Sequence, residues 1–237
     1  MRFEVDLPGA RAVFSTRHGG VSEGPYESLN LGLLTGDDRG RVIENRGLLA
    51  EACGLDPGRI AMGWQVHGDE IREWLEPDAA GAFVDPAGGH VKVDGHLTRV
   101  PGLAMLVLVA DCLPVALAGD GAVAMVHCGW RGLAGGIVGK AAASMGEPAA
   151  AAIGPGIGSC CYEVGDEVLA AFTGYPSAAN GRMLDLRAVA EAQLRAAGVD
   201  RIEHVDLCTS CREDLFFSHR RDDGVTGRQG GMAWLSA

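Results

Sequence analysis

The longest apolar stretch of the chain, LAMLVLVA from Leu103 to Ala110, stops at Asp111 and Cys112, and a second apolar run, PVALA, starts at Pro114. Apolar runs of this length, bounded by turn residues, predict buried strands over Leu103–Val109 and Pro114–Ala118 in the core of one sheet. GDG at 119–121 reads as a hairpin turn, returning the chain as AVAMVH, Ala122–His127. GWRGLAGG then opens a helix with an apolar stripe of Leu133, Ile137, Val138 and Ala141. A strand follows in AAAIG, then helices near Asp166–Phe172 and Leu186–Ala197, the second with Asp185 as N-cap and Gly198 just past its end. IEHVDL closes the pattern as another strand. Upstream, Ala12–Phe14 reads as a short strand. Val42, Asn45, Leu48, Leu49 and Ala52 mark one face of a helix capped by Asp37 or Asp38, and RIAMGWQVHGDEIREWL holds two short strands around a Gln-Val-His-Gly turn. Strands interspersed with helices predict a mixed α/β fold.

The chain has 237 residues, 47% of them of hydrophobic type, enough for a full core. It holds no linker, fixed-period repeat or low-complexity tract, so residues 1–237 read as a single domain. The net charge is −11 with no Lys/Arg run, which argues against a nucleic-acid or anionic-membrane partner. MRFEVDLPGARAV lacks the apolar core of a signal peptide, and no run approaches the roughly 20 residues of a membrane span. The expectation is a soluble, cytoplasmic protein. Seven cysteines are an odd number and too few for a disulfide scaffold; in a reducing compartment they are buried thiols, metal ligands or catalysts.

Three segments place a metal-competent side chain at a strand end or turn: QVHG (His67), ADCLPV (Cys112) and VHCGWRG (His127). Their spacing forms no compact ligand motif; their context says more. Counted outward from Asp120, Cys112 and His127 lie close to directly opposed across the hairpin. Two His and one Cys suit Zn²⁺, and three protein ligands leave a fourth position for water, the catalytic pattern. Asp111 could orient such a water or shuttle a proton. The alternatives are a cysteine that is simply a small buried hydrophobe, a hydrogen-bonded surface histidine, or a metal-free Cys112–His127 nucleophilic pair.

TRHGGVS, QVHG, ADCLPV, HCGWRG, IGPGIGSCCYEVG and FFSHRRDDGVTGRQ together resemble, in order and from Ser15 to Leu235, the motifs of the laccase-domain family. That family was once described as multicopper polyphenol oxidases, and its members are now mostly described as purine nucleoside phosphorylases with adenosine deaminase activity. The resemblance implies α/β/β/α layers with mixed sheets, distantly similar to a deamidase toxin domain that uses Cys and His. It implies zinc on His67, Cys112 and His127. It also implies adenosine, inosine, guanosine and methylthioadenosine as substrates, with phosphate as co-substrate. The chain departs from the family pattern at Cys128, His219 and Ala190; Cys128 adds a possible soft ligand near the metal.

Arg17 and Arg131 are candidates for phosphate or ribose contact, since guanidinium offers a fork of donors to oxyanions; Arg220 and Arg221 come next. Backbone N–H groups at the helix start after His127 could support them. Trp130 or Tyr162 could stack on a purine. Cys160-Cys161 and Cys208-Thr-Ser-Cys211 invite a redox or second-metal reading, but with only one CxxC and no matching ligand pair they read as buried thiols. The leading expectation is a zinc-dependent purine nucleoside enzyme, phosphorolytic and deaminating. The alternative is a Cys112/His127 hydrolase acting on an amide such as one in a cell-wall precursor. Copper phenol oxidation ranks lower, because seven scattered histidines are few for a multicopper centre. A non-catalytic zinc-binding module is a further class. Nothing in the pattern sets the oligomeric state beyond a monomer or weak dimer.

Overall fold

The computed structural model describes residues 2–76, 81, 83 and 90–236. The chain opens with β1 (Arg2–Leu7), β2 (Ala10–Ser15), α1 (Arg39–Cys53), β3 (Ile60–Ala61), β4 (Ile71–Trp74) and β5 (Gly95–Thr98). The middle runs through β6 (Ala104–Val109), β7 (Leu113–Gly119), β8 (Ala122–Cys128), α2 (Trp130–Ala134), α3 (Ile137–Met145) and β9 (Ala150–Ile153). It ends with α4 (Asp166–Ala170), β10 (Ala179–Asn180), β11 (Met183–Leu184), α5 (Leu186–Ala196), β12 (Arg201–His204) and β13 (Gln229–Leu235).

Among the described residues the strands build two large mixed sheets, a five-stranded one in the order β1-β2-β13-β6-β3 and a six-stranded one in the order β12-β9-β7-β8-β5-β4. Phe14, Met105, Val107 and Val109 of the first pack against Ala116, Val123, Met125 and Ala152 of the second. The outer face of the six-stranded sheet is covered by α3 and α5 through Ile137, Val138, Ala141, Val189 and Leu194. Leu49 and Ala50 of α1 cover the outer face of the five-stranded sheet. The result is the expected α/β/β/α layering. Strands buried on both faces need apolar residues at every position, which is why β6, β7 and β8 read as continuous runs rather than alternations.

The expected strands over 103–109 and 114–118 do not share a sheet: β6 lies in the five-stranded sheet and β7 in the six-stranded one. The chain steps between sheets at Ala110–Cys112, and Asp111 takes φ 89° to make the step. That crossover is why a carboxylate and a thiol interrupt so apolar a stretch. The helix expected after GWRG is broken at Gly135–Gly136, where Gly136 takes φ 78°, into α2 and α3. The buried face of α1 is Val42, Asn45, Arg46, Leu49 and Ala50, so Ala52 lies outside it and Leu48 at its margin. Asp38, not Asp37, caps that helix, accepting the Arg41 N–H at 3.0 Å. Periodicity did not reveal β13, which holds the centre of its sheet as QGGMAWL: its two glycines sit where a Cβ would strike Leu106, Leu31 and Pro114.

Candidate metal centre and its cavity

The β7–β8 hairpin closes through Asp120 and Gly121, both in the left-handed region at φ 50° and 66°. Its register pairs Gly119 with Ala122 and Pro114 with His127. Cys112 therefore lies diagonal to His127 rather than directly opposite, because the centre of the turn falls half a residue beyond Asp120. A two-residue offset preserves the face on which a side chain emerges, so both still point the same way.

His67 reaches this point from the turn between β3 and β4 and takes φ 59°, a conformation that costs a non-glycine residue energy. The buried carboxylate of Asp94 holds it there. Asp94 accepts the backbone N–H of Val66 at 3.0 Å, of His67 at 2.9 Å and of Gly68 at 2.8 Å. The same carboxylate bonds His127 Nδ1 at 2.7 Å. One side chain thus orients both histidines. With Nδ1 turned to Asp94, Nε2 of His127 is the atom left for a metal. The His67 and His127 rings meet edge to face at 4.9 Å. The ligand atoms of His67, Cys112 and His127 all lie within 4.8 Å of one another.

Charge follows from this packing. Burial works against the Cys112 thiolate, but the adjacent His127 charge, with hydrogen bonds from His127 and His67, prevails and brings the thiol down to about 6. For His127 burial opposes protonation, and the Cys112 thiolate and Asp94 overcome it. Asp94 is itself disfavoured by burial, yet its bonds from His127, Gly68 and Val66 hold it below the ordinary carboxylate value. An anionic sulfur beside two imidazoles is a donor set that fits a borderline-soft divalent ion. Gly129 completes the fit: a Cβ there would stand 3.2 Å from Cys112 Sγ and 3.2 Å from His67 Cδ2.

The three residues line a cavity of about 570 Å³, within the range that holds small ligands. Asp111, Arg131 and Trp130 line it too, as do Tyr162, Arg220 and Arg228. The Arg131 guanidinium lies over the Trp130 ring at 4.2 Å and, among the described residues, makes no hydrogen bond or ion pair. Arg220 lies over the Tyr162 ring at 5.2 Å and donates to the Glu163 carbonyl at 2.8 Å. Arg228 is anchored to the Thr226 and Gly227 carbonyls at 3.0 and 2.8 Å.

Arg17 is placed elsewhere. It is not among the residues lining the cavity; its guanidinium donates to the carbonyls of Glu27 at 2.7 Å and Glu213 at 3.1 Å and covers the Phe217 ring at 4.8 Å. It joins loops, and the expectation that it contacts phosphate is withdrawn. Arg221 is likewise occupied, paired with Asp222 at 2.7 and 2.8 Å. Asp111 faces the cavity but also braces its wall, accepting the Thr209 hydroxyl at 2.6 Å and the Arg220 N–H at 2.7 Å. Cys128 is no ligand: it belongs to the core on the helix side of the six-stranded sheet, and burial pushes its thiol well above the ordinary value. α2 spans five residues, so little support for an anion comes from its N–H groups.

Sequence reasoning missed Asp94 and Arg228, and it set aside the metal reading of a second cluster. Asp94 was findable in principle, since a ligating histidine generally donates its other nitrogen to a carboxylate. Arg228 stands in the GRQ that ends the last motif. Cys160, Cys161, Cys208 and Cys211 converge within 4.8 Å, and Cys160 and Cys211 are exposed, contrary to the buried-thiol expectation.

Comparison with known proteins agrees with this architecture. The family described as multi-copper polyphenol oxidoreductase laccase matches residues 11–236. The purine nucleoside phosphorylase YlmD of Geobacillus stearothermophilus is 40% identical over 93% of this chain and 88% of its own length. The purine nucleoside phosphorylase YfiH of Escherichia coli is 36% identical over 96% of this chain and 94% of its own. The crystal structure of the hypothetical protein YfiH of Bacillus licheniformis superposes with a TM-score of 0.90 at 34% identity, covering 95% of this chain and 92% of that one. The crystal structure of Geobacillus stearothermophilus YlmD gives 0.88 at 38% identity, covering 97% and 93%.

Proposed function

The chain belongs to the multi-copper polyphenol oxidoreductase laccase family, and we propose that within it the protein is a zinc-dependent purine nucleoside phosphorylase that also deaminates adenosine. One observation carries the reading: His67, Cys112 and His127 meet at one side of a cavity whose wall brings Arg131, Arg220 and Arg228 together. The names of the relatives supply the substrate class. The residues fit zinc, which when bound would supply a Lewis acid beside the substrate. Copper can also take two His and one Cys. A multicopper centre needs several histidine-rich sites, however, and the two metal-capable groups among the described residues contain two histidines in all.

Inosine, guanosine, adenosine and methylthioadenosine share a purine and a ribose-type ring, and the cavity offers groups for each part. Trp130 and Tyr162 present aromatic planes for the base. Arg131, whose guanidinium makes no hydrogen bond or ion pair among the described residues, holds the phosphate dianion with Arg220 and Arg228. In phosphorolysis a phosphate oxygen bonds to C1′ as the bond from C1′ to the purine nitrogen breaks, and the base leaves with a proton. In deamination water replaces the amine at C6, and Asp111 carries the proton to the leaving nitrogen. Two of its hydrogen bonds are taken, and a carboxylate accepts about four.

A second reading has an observation of its own. Cys112, His127 and Asp94 stand in the relation of nucleophile, base and orienting carboxylate, which suits a cysteine hydrolase acting on an amide. His67→Ala separates the two. It removes a metal ligand but leaves Cys112, His127 and Asp94 intact. Loss of zinc together with inosine phosphorolysis supports the phosphorylase. Iodoacetamide-sensitive amidase activity retained in the variant supports the hydrolase.

A further inference from the structure

We propose that Cys160, Cys161, Cys208 and Cys211 form a second metal site, a tetrathiolate that takes zinc and braces the cavity wall at Asp111 and Arg220. The four sulfurs lie within 4.8 Å of one another; Cys160 and Cys161 stand 3.5 and 3.4 Å from Cys211. Four sulfurs at about 2.3 Å from a tetrahedral zinc would be about 3.8 Å apart, so the cluster needs only small adjustments to close on an ion. A disulfide needs sulfurs at roughly 2.05 Å, and no pair is so close.

Two tight turns deliver the thiols. In the first, Cys161 and Tyr162 donate their N–H groups to the Gly158 carbonyl at 2.9 and 3.0 Å. In the second, Arg212 donates to the Cys208 carbonyl at 3.0 Å, the turn expected of a Cys-x-x-Cys ligand pair. A bridge between Gly156 and Cys208, with Thr209 N–H donating to the Gly156 carbonyl at 3.0 Å, fixes the turns side by side. Gly158 directs its N–H at Cys208 Sγ from 3.2 Å, a bond that favours sulfur as an acceptor. The turn packs closely on the sulfurs: a Cβ at Gly158 would stand 3.2 Å from Cys160 Sγ and in ordinary contact with Cys208 Sγ at 3.5 Å. The donor set is soft and all sulfur, the type zinc uses in closed structural sites.

The site's position gives it a role. Thr209, between the two ligands of the second turn, is the residue that holds Asp111. Tyr162 and Glu163, just past the first turn, support Arg220. An ion joining the turns would therefore lock Asp111 and Arg220 in place without touching substrate. The site does not depend on the nucleoside reading.

Metal analysis of the full chain, purified under reductant from zinc-supplemented cells, tests this. The wild type should hold two zinc ions, the Cys160→Ser/Cys211→Ser variant one, and the His67→Ala/Cys112→Ala variant one. Co²⁺ loaded into the last variant should show the intense sulfur-to-cobalt bands of a tetrathiolate, a readout independent of catalysis. If Cys160→Ser/Cys211→Ser fails to fold, the cobalt spectrum of His67→Ala/Cys112→Ala decides alone. A zinc content unchanged by Cys160→Ser/Cys211→Ser, absent sulfur-to-cobalt bands, or a metal-free Cys160–Cys211 disulfide in protein kept reduced throughout would overturn the proposal. Failure of His67→Ala/Cys112→Ala to lose an ion would instead count against the first site.

Discussion

Gly129→Ala isolates the steric requirement of the proposed zinc site at His67, Cys112 and His127. Gly129 has φ −79° and ψ 169°, an ordinary extended conformation, so alanine meets no backbone penalty there. As the residue before α2 it loses at most about 1 kcal/mol of capping preference, partly offset by the smaller entropy of the unfolded alanine chain. The added methyl, however, stands 3.2 Å from both Cys112 Sγ and His67 Cδ2, closer than carbon normally approaches either. Neither neighbour moves easily. Cys112 sits directly before β7, and His67 is pinned by the three N–H bonds to Asp94. The ligands must part by a few tenths of an ångström, against metal bonds of about 2.0–2.3 Å. Displacements on this scale resemble the removal of an orienting partner, which weakens metal affinity roughly 10–100-fold, or about 1.4–2.7 kcal/mol. Zinc affinity measured by competition with a chelator should fall by that factor, while the unfolding free energy of the metal-free protein, from urea titration, moves by no more than about 1 kcal/mol. Unchanged zinc affinity would refute the placement of Gly129 against the ligands. A loss of metal-free stability as large as the loss of affinity would show that the methyl disrupts the fold rather than the site.

Three further outcomes follow from the same geometry. Asp94→Asn should cut zinc affinity roughly 10–100-fold, because an amide can neither orient His127 as a carboxylate does nor accept all of the Val66, His67 and Gly68 N–H bonds; chelator competition measures it. Arg131→Ala should depress inosine phosphorolysis roughly tenfold to hundredfold more than adenosine deamination, whereas Arg17→Ala should lower stability by about 1–3 kcal/mol and leave the ratio of the two activities unchanged. The third outcome concerns pH: burial holds the fully buried His96 down at about 4, although the Asp94 charge works the other way. Below about 6.5 the unfolded chain takes a proton that the folded chain refuses until about pH 4. Stability should therefore fall as pH drops through that window, by roughly 3 kcal/mol in full. Urea unfolding in chelator at pH 7 and pH 4.5 should show a smaller drop for His96→Gln than for the wild type, and equal drops would exclude this group.

The candidate metal centre was legible because its three residues sit where apolar runs end: His67 in a turn, Cys112 at a strand start and His127 at a strand end all break a hydrophobic pattern. The β7–β8 hairpin then needed only its turn residues to bring two of the three together. Asp94 was not legible, since its bonds to His67 and His127 span 27 and 33 residues and arise from how β5 sits beside β8. The cysteine cluster was hidden for the same reason: one bridge between Gly156 and Cys208 joins its two turns. Arg17 misled because a guanidinium in a glycine-bearing loop looks the same whether it binds an oxyanion or the carbonyls of neighbouring loops. The division of the core strands between two sheets turns on the backbone of one residue, Asp111 at φ 89°, which no hydrophobic pattern records.

Turnover of inosine by the zinc-loaded wild-type protein, measured with and without inorganic phosphate, decides whether the protein is a phosphorylase. Hypoxanthine and ribose 1-phosphate should form in equal amounts, only when phosphate is present, and neither should form in Cys112→Ser. Hypoxanthine released at the same rate without phosphate, or no release under either condition, would contradict the phosphorylase reading.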